Sequence, residues 1–416
     1  MQKEWTVMPL VLAGLIAVSV VNGVARAQQE VIPNDPYFKD QISFRAPGGK
    51  VALNTSSAHS SLEEFDTHQG IDLNITKAWG ITTGSKNVVV AILDDGFCYT
   101  HPDVRDNIWH NPGESGKDSD GFEKETNGLD DDHNGYVDDV FGWDFVFDSP
   151  DVDCHVFDGM DKARIAPYWH SLQAMGIIGA RGNNGIGIAG INWYVSMMLL
   201  RIGVQGHGRE EVDKNRVDRA VRAIHYAADN GARIINWSGF VDDLRPEKLD
   251  DLRVAIDYAA KKDVLVVVAA GNDAKDLDNN QNCAEPPQCL ESSNLMKVGE
   301  IDFDGKLYAA KGKWIRGSNF GAKRVDIAAL AMNYTTDVSK GGIGTYMLAG
   351  GTSNAAPVVT GVAALMLSVN PSLSAVQLKQ LLMSTAKPMP ALQSKIKSGG
   401  IVVAYAAVKA AQATSQ

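Results

Sequence analysis

The sequence predicts an α/β fold built on a mainly parallel central sheet flanked by helices. Two observations carry that expectation. Short runs dominated by apolar residues recur at 87–93, 196–202, 233–236 and 264–270, as strands covered on both faces require. Helical patterns such as 217–230 and 252–262 separate them, and strands alternating with helices imply parallel pairing through right-handed crossovers. A length of 416 residues with 44% apolar content suits one large domain with a substantial core. No low-complexity run and no repeat of fixed period interrupts it.

Taken in order, the chain opens on Lys3 and an apolar run from about Val7 to Val21, closed by Asn22 and by Ala25-Arg26-Ala27. That pattern reads as an export signal over 1–27, too short for a comfortable membrane span. The mature chain is then expected to be secreted or periplasmic, with no stable membrane anchor after cleavage. Residues 28–67 are polar, with Pro33, Pro36, Pro47 and Gly48-Gly49, and read as an N-terminal extended arm wrapping the domain. Export makes the four cysteines candidates for disulfides. Cys283 and Cys289 bracket a short polar loop that one bond would close, leaving Cys98 for Cys154. Four cysteines permit three pairings, and spacing alone does not choose among them. The formal charge of −11 argues against a nucleic-acid partner, which would need a basic face.

The first strand run ends in Asp94-Asp95-Gly96, and the run at 264–270 leads into Gly271-Asn272. Sites in parallel sheets gather at the carboxyl ends of strands. Among nine histidines, His170 stands directly before the apolar helical stretch 171–180, whose glycines allow close packing on the sheet. His155 lies in an acidic loop beside Cys154, and His101 belongs to a turn. Gly350-Gly351-Thr352-Ser353-Asn354-Ala355-Ala356-Pro357 leads into a long apolar helix pattern. A serine there meets unpaired N–H groups and the positive end of the helix dipole, which favour a developing negative charge. An ordinary N-capping serine gives the same local pattern, so the order Asp94, His170, Asn272, Ser353 carries the reading. Pro357 is expected to fall where the first turn has no use for its missing N–H.

With Asp94-Asp95-Gly96, Ala270-Gly271-Asn272 and Gly351-Thr352-Ser353-Asn354-Ala355-Ala356-Pro357 in that order, the chain from about Pro33 to Val408 resembles the subtilisin-like serine peptidases, the subtilase family (peptidase family S8). Ser318-Asn319-Phe320-Gly321, Val325-Asp326-Ile327-Ala328 and Ser398-Gly399-Gly400 add to the likeness. The resemblance implies a subtilisin-like three-layer fold over 68–410 and a secreted, monomeric serine endopeptidase with a polypeptide substrate. By the same resemblance Ser353 is the nucleophile and His170 its base. Asp94 orients the imidazole, and Asn272 with the Ser353 N–H binds the oxyanion. Ser238, Gly239 and Phe240, after the strand ending in Asn236-Trp237, would line an extended peptide and bond its backbone.

The chain departs from the family pattern at Asn354, where the family reads methionine in Gly-Thr-Ser-Met-Ala-Ala-Pro, at Ala329-Leu330-Ala331, where it reads Ala-Pro-Gly, and most of all in two further places. His170-Ser171-Leu172-Gln173-Ala174-Met175-Gly176 stands where the family reads His-Gly-Thr-His-Val-Ala-Gly, and Ser238-Gly239-Phe240-Val241 where it reads Ser-Leu-Gly-Gly. Phe240 is expected to reshape the primary specificity pocket. The departures motivate an alternative, a catalytically weak relative that binds peptides or a protein partner. No Gly-x-Ser-x-Gly elbow is present, which weighs against the commonest esterase fold.

The acidic loop 127–139 contains Asp-x-Asp-x-Asn-Gly, and alternating oxygen donors around a glycine turn suit a structural calcium ion. The expected ligands are Asp130, Asp132, Asn134 and Asp138. The twelfth position holds Phe141 rather than a bidentate glutamate, so the loop is not an EF-hand. Toward the C-terminus, Ser374-Ala375-Val376-Gln377 resembles a capping box opening a helix, and residues 404–413 form a second, alanine-rich one.

Overall fold

The computed structural model describes residues 1, 29–55, 62–154, 169–203, 215–241, 245–279, 286–309, 317–339 and 342–414. The export signal expected over 1–27 lies outside the described residues, except for Met1, as do His155 and Cys283.

Apolar strands and amphipathic helices alternate through the body. They run β3 (Gly84–Asp94), β4 (Gly142–Asp144), α2 (Trp169–Gly179), β5 (Tyr194–Arg201), α3 (Arg216–Asp229), β6 (Ile234–Trp237), α4 (Pro246–Lys261), β7 (Leu265–Ala269), β8 (Leu295–Ile301) and β9 (Ile327–Leu330). A hairpin of β10 (Asn333–Ser339) and β11 (Gly342–Ala349) leads into α5 (Thr352–Val369), followed by α6 (Ala375–Ser384), β12 (Lys387–Pro388), β13 (Gly400–Ile401) and α7 (Ala404–Ala413). Before the body stand β1 (Gly49–Asn54), β2 (Leu62–Thr67) and the short α1 (Ile75–Trp79). Nine strands form one sheet in the order β12-β13-β9-β8-β7-β6-β3-β5-β4. Every neighbouring pair is parallel except β12 with β13.

Successive side chains of a strand point to opposite faces, and the two faces build two cores. Val90, Ile92, Met197, Ile234, Leu265 and Val267 meet α2 and α5 on one side, with α7 packed on α5 beyond them. Ala91, Leu93, Met198, Ile235, Val266 and Val268 meet α3 and α4 on the other. Burying each of the larger aliphatic side chains stabilises the fold by about 1.5–3 kcal/mol, which is why the strand runs read as apolar throughout. Helix α5 is long and apolar enough to cross a membrane, yet it is 83% buried as the central helix of its layer.

The parallel register brings strand ends level. Asp94 pairs with Arg201, Leu93 with Trp237, and Trp237 with Val268. The residues that follow β3, β6 and β7 therefore emerge along one edge.

The first part of the N-terminal segment, which includes a 3-10 turn at Phe38–Asp40, is fastened to the body. Val31 N donates to Thr76 O at 2.9 Å. The Gln41 amide brackets the Ala189 backbone, Nε2 to O at 2.8 Å and N to Oε1 at 3.0 Å. Phe38 and Phe44 pack on Trp79. Residues 49–67 instead include the antiparallel ribbon β1–β2, which the sequence reading did not anticipate. Leu53 and Thr67 are its only fully buried strand residues, so there was little alternation to read.

Cys98 is bonded to Cys154 with a Cα separation of 4.9 Å. Cys289 is disulfide-bonded as well. The capping box opens α6 as expected: Gln377 N donates to Ser374 Oγ at 3.1 Å, and Ser374 N to Gln377 Oε1 at 2.8 Å.

Candidate active site

Asp94 is the last residue of β3, and His170 is the second residue of α2. His170 Nδ1 lies 2.9 Å from Asp94 Oδ1 and 3.0 Å from Oδ2. The carboxylate fixes the tautomer with the proton on Nδ1, which leaves Nε2 as the basic nitrogen. Burial lowers the affinity of this imidazole for a proton, but the charge and hydrogen bond of Asp94, with Asp95 beyond, more than offset it, and the pKa rises. Asp95 is itself paired with Arg216, Oδ1 to Nη2 at 3.1 Å. His101, in its turn, is fully buried, its Nε2 lies 3.2 Å from Thr345 O, and burial pushes its pKa down to about 4.

The rewritten segment after His170 supplies its own fastenings. The Ser171 hydroxyl donates to the Gly96 carbonyl and so ties the start of α2 to the turn that carries Asp94. Gly179 packs on the sheet, where a side chain would strike Val195 and Met197. Gly176 faces the β10 hairpin instead, where a Cβ would lie 2.2 Å from Thr336 Oγ1. One helical turn beyond His170, Gln173 Oε1 accepts from Asn354 Nδ2 at 3.3 Å, which couples α2 to the head of α5.

Ser353 is the second residue of α5 and is half-buried. The preceding Gly351 has φ +106°, a conformation L side chains rarely adopt, and turns the chain sharply from β11 into the helix. Thr352 N and Thr352 Oγ1 both donate to Asn272 Oδ1, at 2.9 and 3.0 Å. That orientation commits the amide oxygen of Asn272 and leaves its Nδ2 hydrogens without a partner among the described residues. The Ser353 N–H is likewise unpaired among the described residues. Two unpaired donors thus flank the serine.

Pro357 lies in the second turn, too deep for the expected explanation. Helix α5 begins at Thr352, so the missing N–H of Pro357 deprives the Ser353 carbonyl of its i→i+4 donor. The Ser238 hydroxyl takes that place and donates to Ser353 O at 2.8 Å. Asn236 Nδ2 donates to Ser238 Oγ at 3.1 Å, and Asn236 Oδ1 accepts from Thr360 Oγ1 at 3.0 Å. The side chain of Ser238 is therefore engaged inside the body. Gly239 follows with its carbonyl accepting from Gln288 Nε2 at 3.1 Å. Phe240 is 43% exposed, and its backbone N–H and C=O make no hydrogen bond among the described residues.

The acidic loop is arranged differently from its linear pattern. Glu114, Asp132 and Asp139 bring carboxylate oxygens within 4.8 Å of one another. Asn134 touches this group through Nδ2, which donates to Asp132 and Asp139. Asp130 instead accepts from the backbone of Asn134 and Gly135, and Asp138 from that of Gly128. Of the four expected ligands, Asp132 lies in the cluster and Asn134 at its edge, while Asp130 and Asp138 cap the loop. Glu114 Oε1 accepts from Asp131 N at 2.7 Å, whereas Oε2 is buried without a hydrogen-bond partner among the described residues. Burial pushes the Asp139 carboxyl up to about 6. An all-oxygen donor set with one orphaned carboxylate oxygen fits a hard divalent cation. Sequence reasoning missed Glu114 because it lies outside the loop, although Phe141 at the twelfth position signalled a missing carboxylate.

A parallel sheet that gathers an Asp–His pair and a helix-head serine at its carboxyl edge is the architecture of the subtilisin-like class. The chain belongs to the subtilase family: the model of that family, peptidase S8, matches residues 85–406. It is similar to subtilisin-like protease 1 of Plasmodium berghei (strain Anka), with 25% identity across 91% of this chain and 64% of that protein. It is also similar to the extracellular basic protease of Dichelobacter nodosus, with 27% identity across 96% of this chain and 63% of that protein. The chain thus spans less than two thirds of the length of these two curated relatives. Among solved structures, a protease of Pseudoalteromonas arctica PAMC 21717 shares the fold at a TM-score of 0.62, with 24% identity over 92% of this chain and 100% of that one. Fervidolysin from Fervidobacterium pennivorans does so at 0.56, with 22% identity over 81% and 44%.

Proposed function

We propose that this chain is a serine endopeptidase, exported from the cell, that cleaves polypeptides through an acyl-enzyme formed on Ser353. The observation that carries this reading is the Asp94-oriented imidazole of His170 at the same sheet edge as Ser353, whose flanking donors are unpaired among the described residues. In this mechanism His170 Nε2 takes the Ser353 hydroxyl proton as Oγ attacks the scissile carbonyl, then gives it to the leaving amine. Asp94 stabilises the imidazolium and stays ionised. Asn272 Nδ2 and the Ser353 N–H receive the oxyanion, and loss of one such donor costs about 2.7–4 kcal/mol of transition-state stabilisation. Water then releases the acyl group with His170 again as base. The unpaired Phe240 backbone supports strand-like docking of an extended peptide, with its ring near the substrate.

A structural cation belongs to the same reading. Glu114, Asp132 and Asp139 would hold calcium, whose charge would offset the repulsion among three carboxylates and lock the loop. The enzyme is proposed to act as a monomer, with no nucleic-acid partner.

A fluorophosphonate probe tests the activity. Purified mature protein should be labelled, and Ser353→Ala should not. Folded wild type that resists the probe would favour the second reading, a peptide-binding relative with little catalytic power, for which the rewritten segment after His170 is the motive.

A further inference from the structure

We propose that Glu300 is a positioning residue for the nucleophile, a buried carboxylic acid that holds the turn presenting Ser353 by accepting the Gly351 N–H. This inference rests on the reading of the site as a serine peptidase.

Glu300 lies in β8 and is fully buried. Gly351 N donates to its Oε1 at 2.9 Å. The fit is close, since a Cβ added at Gly350 would come within 3.3 Å of that oxygen. The N–H groups entering α5 are thereby divided in sequence. That of Gly351 goes to Glu300, that of Thr352 to Asn272, and that of Ser353 is left for the oxyanion. Any slack in the first shifts the third.

The strand that supplies Glu300 also braces the opposite wall. Glu300 N donates to Ser318 Oγ at 2.9 Å, and Ser318 Oγ to Asn319 O at 2.9 Å. Asn319 in turn holds the residues before Asn272, with N to Gly271 O at 2.8 Å and Nδ2 to Ala270 O at 2.9 Å. One carboxyl-bearing strand thus sets both donors of the oxyanion site against each other.

A neutral carboxyl suits this position. Glu300 Oε2 is buried with no hydrogen-bond partner among the described residues, where a charge would go unanswered. Among the described residues its titratable neighbours are Asp302 and Tyr308, and the turns at 350–352, 270–272 and 318–319 present no charged side chain. Burial pushes the Glu300 pKa up to about 8; the Gly351 N–H opposes the shift and Asp302 adds to it. Ionisation would place a negative charge behind the site where the oxyanion forms and weaken its stabilisation.

The test compares wild type, Glu300→Gln, Glu300→Ala and Ser353→Ala as mature, folded proteins. Active sites are counted with a fluorophosphonate, and kcat and KM for a peptide substrate are followed from neutral into alkaline pH. The amide of Gln can still accept the Gly351 N–H but cannot ionise. Glu300→Gln should keep kcat within about twofold at neutral pH and lose an alkaline decline centred near the Glu300 pKa of about 8. Glu300→Ala should lower kcat by between about tenfold and hundredfold with KM little changed. A folded Glu300→Ala with wild-type kcat, or a Glu300→Gln that keeps the alkaline decline, overturns the assignment while leaving the peptidase reading intact. Wild type that neither labels nor cleaves overturns the peptidase reading instead. Unfolding temperature then still reports on the carboxyl. Its folded pKa is raised, so wild type should lose stability relative to Glu300→Gln as pH climbs from the ordinary carboxylate range through about 8. A constant gap overturns the buried neutral acid.

Discussion

The Ser238 hydroxyl donates to the carbonyl of Ser353, the one main-chain acceptor that Pro357 strips of its helical partner. The bond joins the end of β6 to the head of α5 through the nucleophile itself. Removing the hydroxyl leaves this partly buried carbonyl unanswered, at a cost of about 1 kcal/mol or more. Ser238→Ala should therefore lower both the unfolding temperature and kcat. Pro357→Ala restores an N–H at the right place, so the double variant should recover part of the loss. Additive effects in a double-mutant cycle would show that the two positions do not share the Ser353 carbonyl.

Gln173 and Asn354 make a second such pair. The family pattern has histidine and methionine at these positions, and here both differ together. Their amides meet at 3.3 Å, and Asn354 Nδ2 also reaches Gly350 O at 2.8 Å. Gln173→His or Asn354→Met alone should be more damaging than the two combined, with a coupling of about 0.5–3 kcal/mol in stability or in kcat/KM. Independent effects would make the co-occurrence fortuitous.

These pairs explain what the sequence could and could not convey. The parallel sheet was legible because strands buried on both faces must be apolar, as Val266, Val267 and Val268 are. Asp94 and Asn272 were legible because strand ends attract sites, and the capping box at Ser374 because its two hydrogen bonds are local in the chain. Ser171 and Gln173 looked like losses from the His170 segment, since their partners Gly96 and Asn354 are distant in sequence. Pro357 was placed in the first turn because a helix start cannot be fixed to one residue without knowing that Gly351 is the cap. Glu300 carries no local signal at all. An isolated glutamate in an apolar strand acquires meaning only when Gly351 arrives beside it.

His170 predicts the acid side of the pH profile. Its pKa is raised, chiefly because the Asp94 charge outweighs burial, and it must be neutral to serve as base. The acid limb of kcat/KM should therefore have a midpoint above the ordinary histidine value of 6.5. The sign for stability is opposite: the protonated imidazole is favoured in the folded chain, so this contribution is present at low pH and lost as pH rises through the raised value. Asp94→Asn should move the midpoint down and reduce kcat by about ten-thousandfold, as loss of the correct tautomer does elsewhere. A profile unmoved by Asp94→Asn would separate the limb from His170.

Cation binding has its own test in the loop that ends at Asp139. If Glu114, Asp132 and Asp139 hold the ion, a chelator should lower the unfolding temperature, and added calcium should restore it. Saturation at a hundred times the dissociation constant would be worth about 2.7 kcal/mol. Glu114→Gln should abolish the calcium response, because it removes the charge of the cluster's carboxylate whose second oxygen has no hydrogen-bond partner among the described residues. Asp138→Asn should weaken the loop yet keep the response, since Asp138 accepts from Gly128 N rather than facing the cluster. The reverse ranking would return the ion to the linear Asp130–Asp138 pattern, and indifference to chelator in wild type would remove it from the protein altogether.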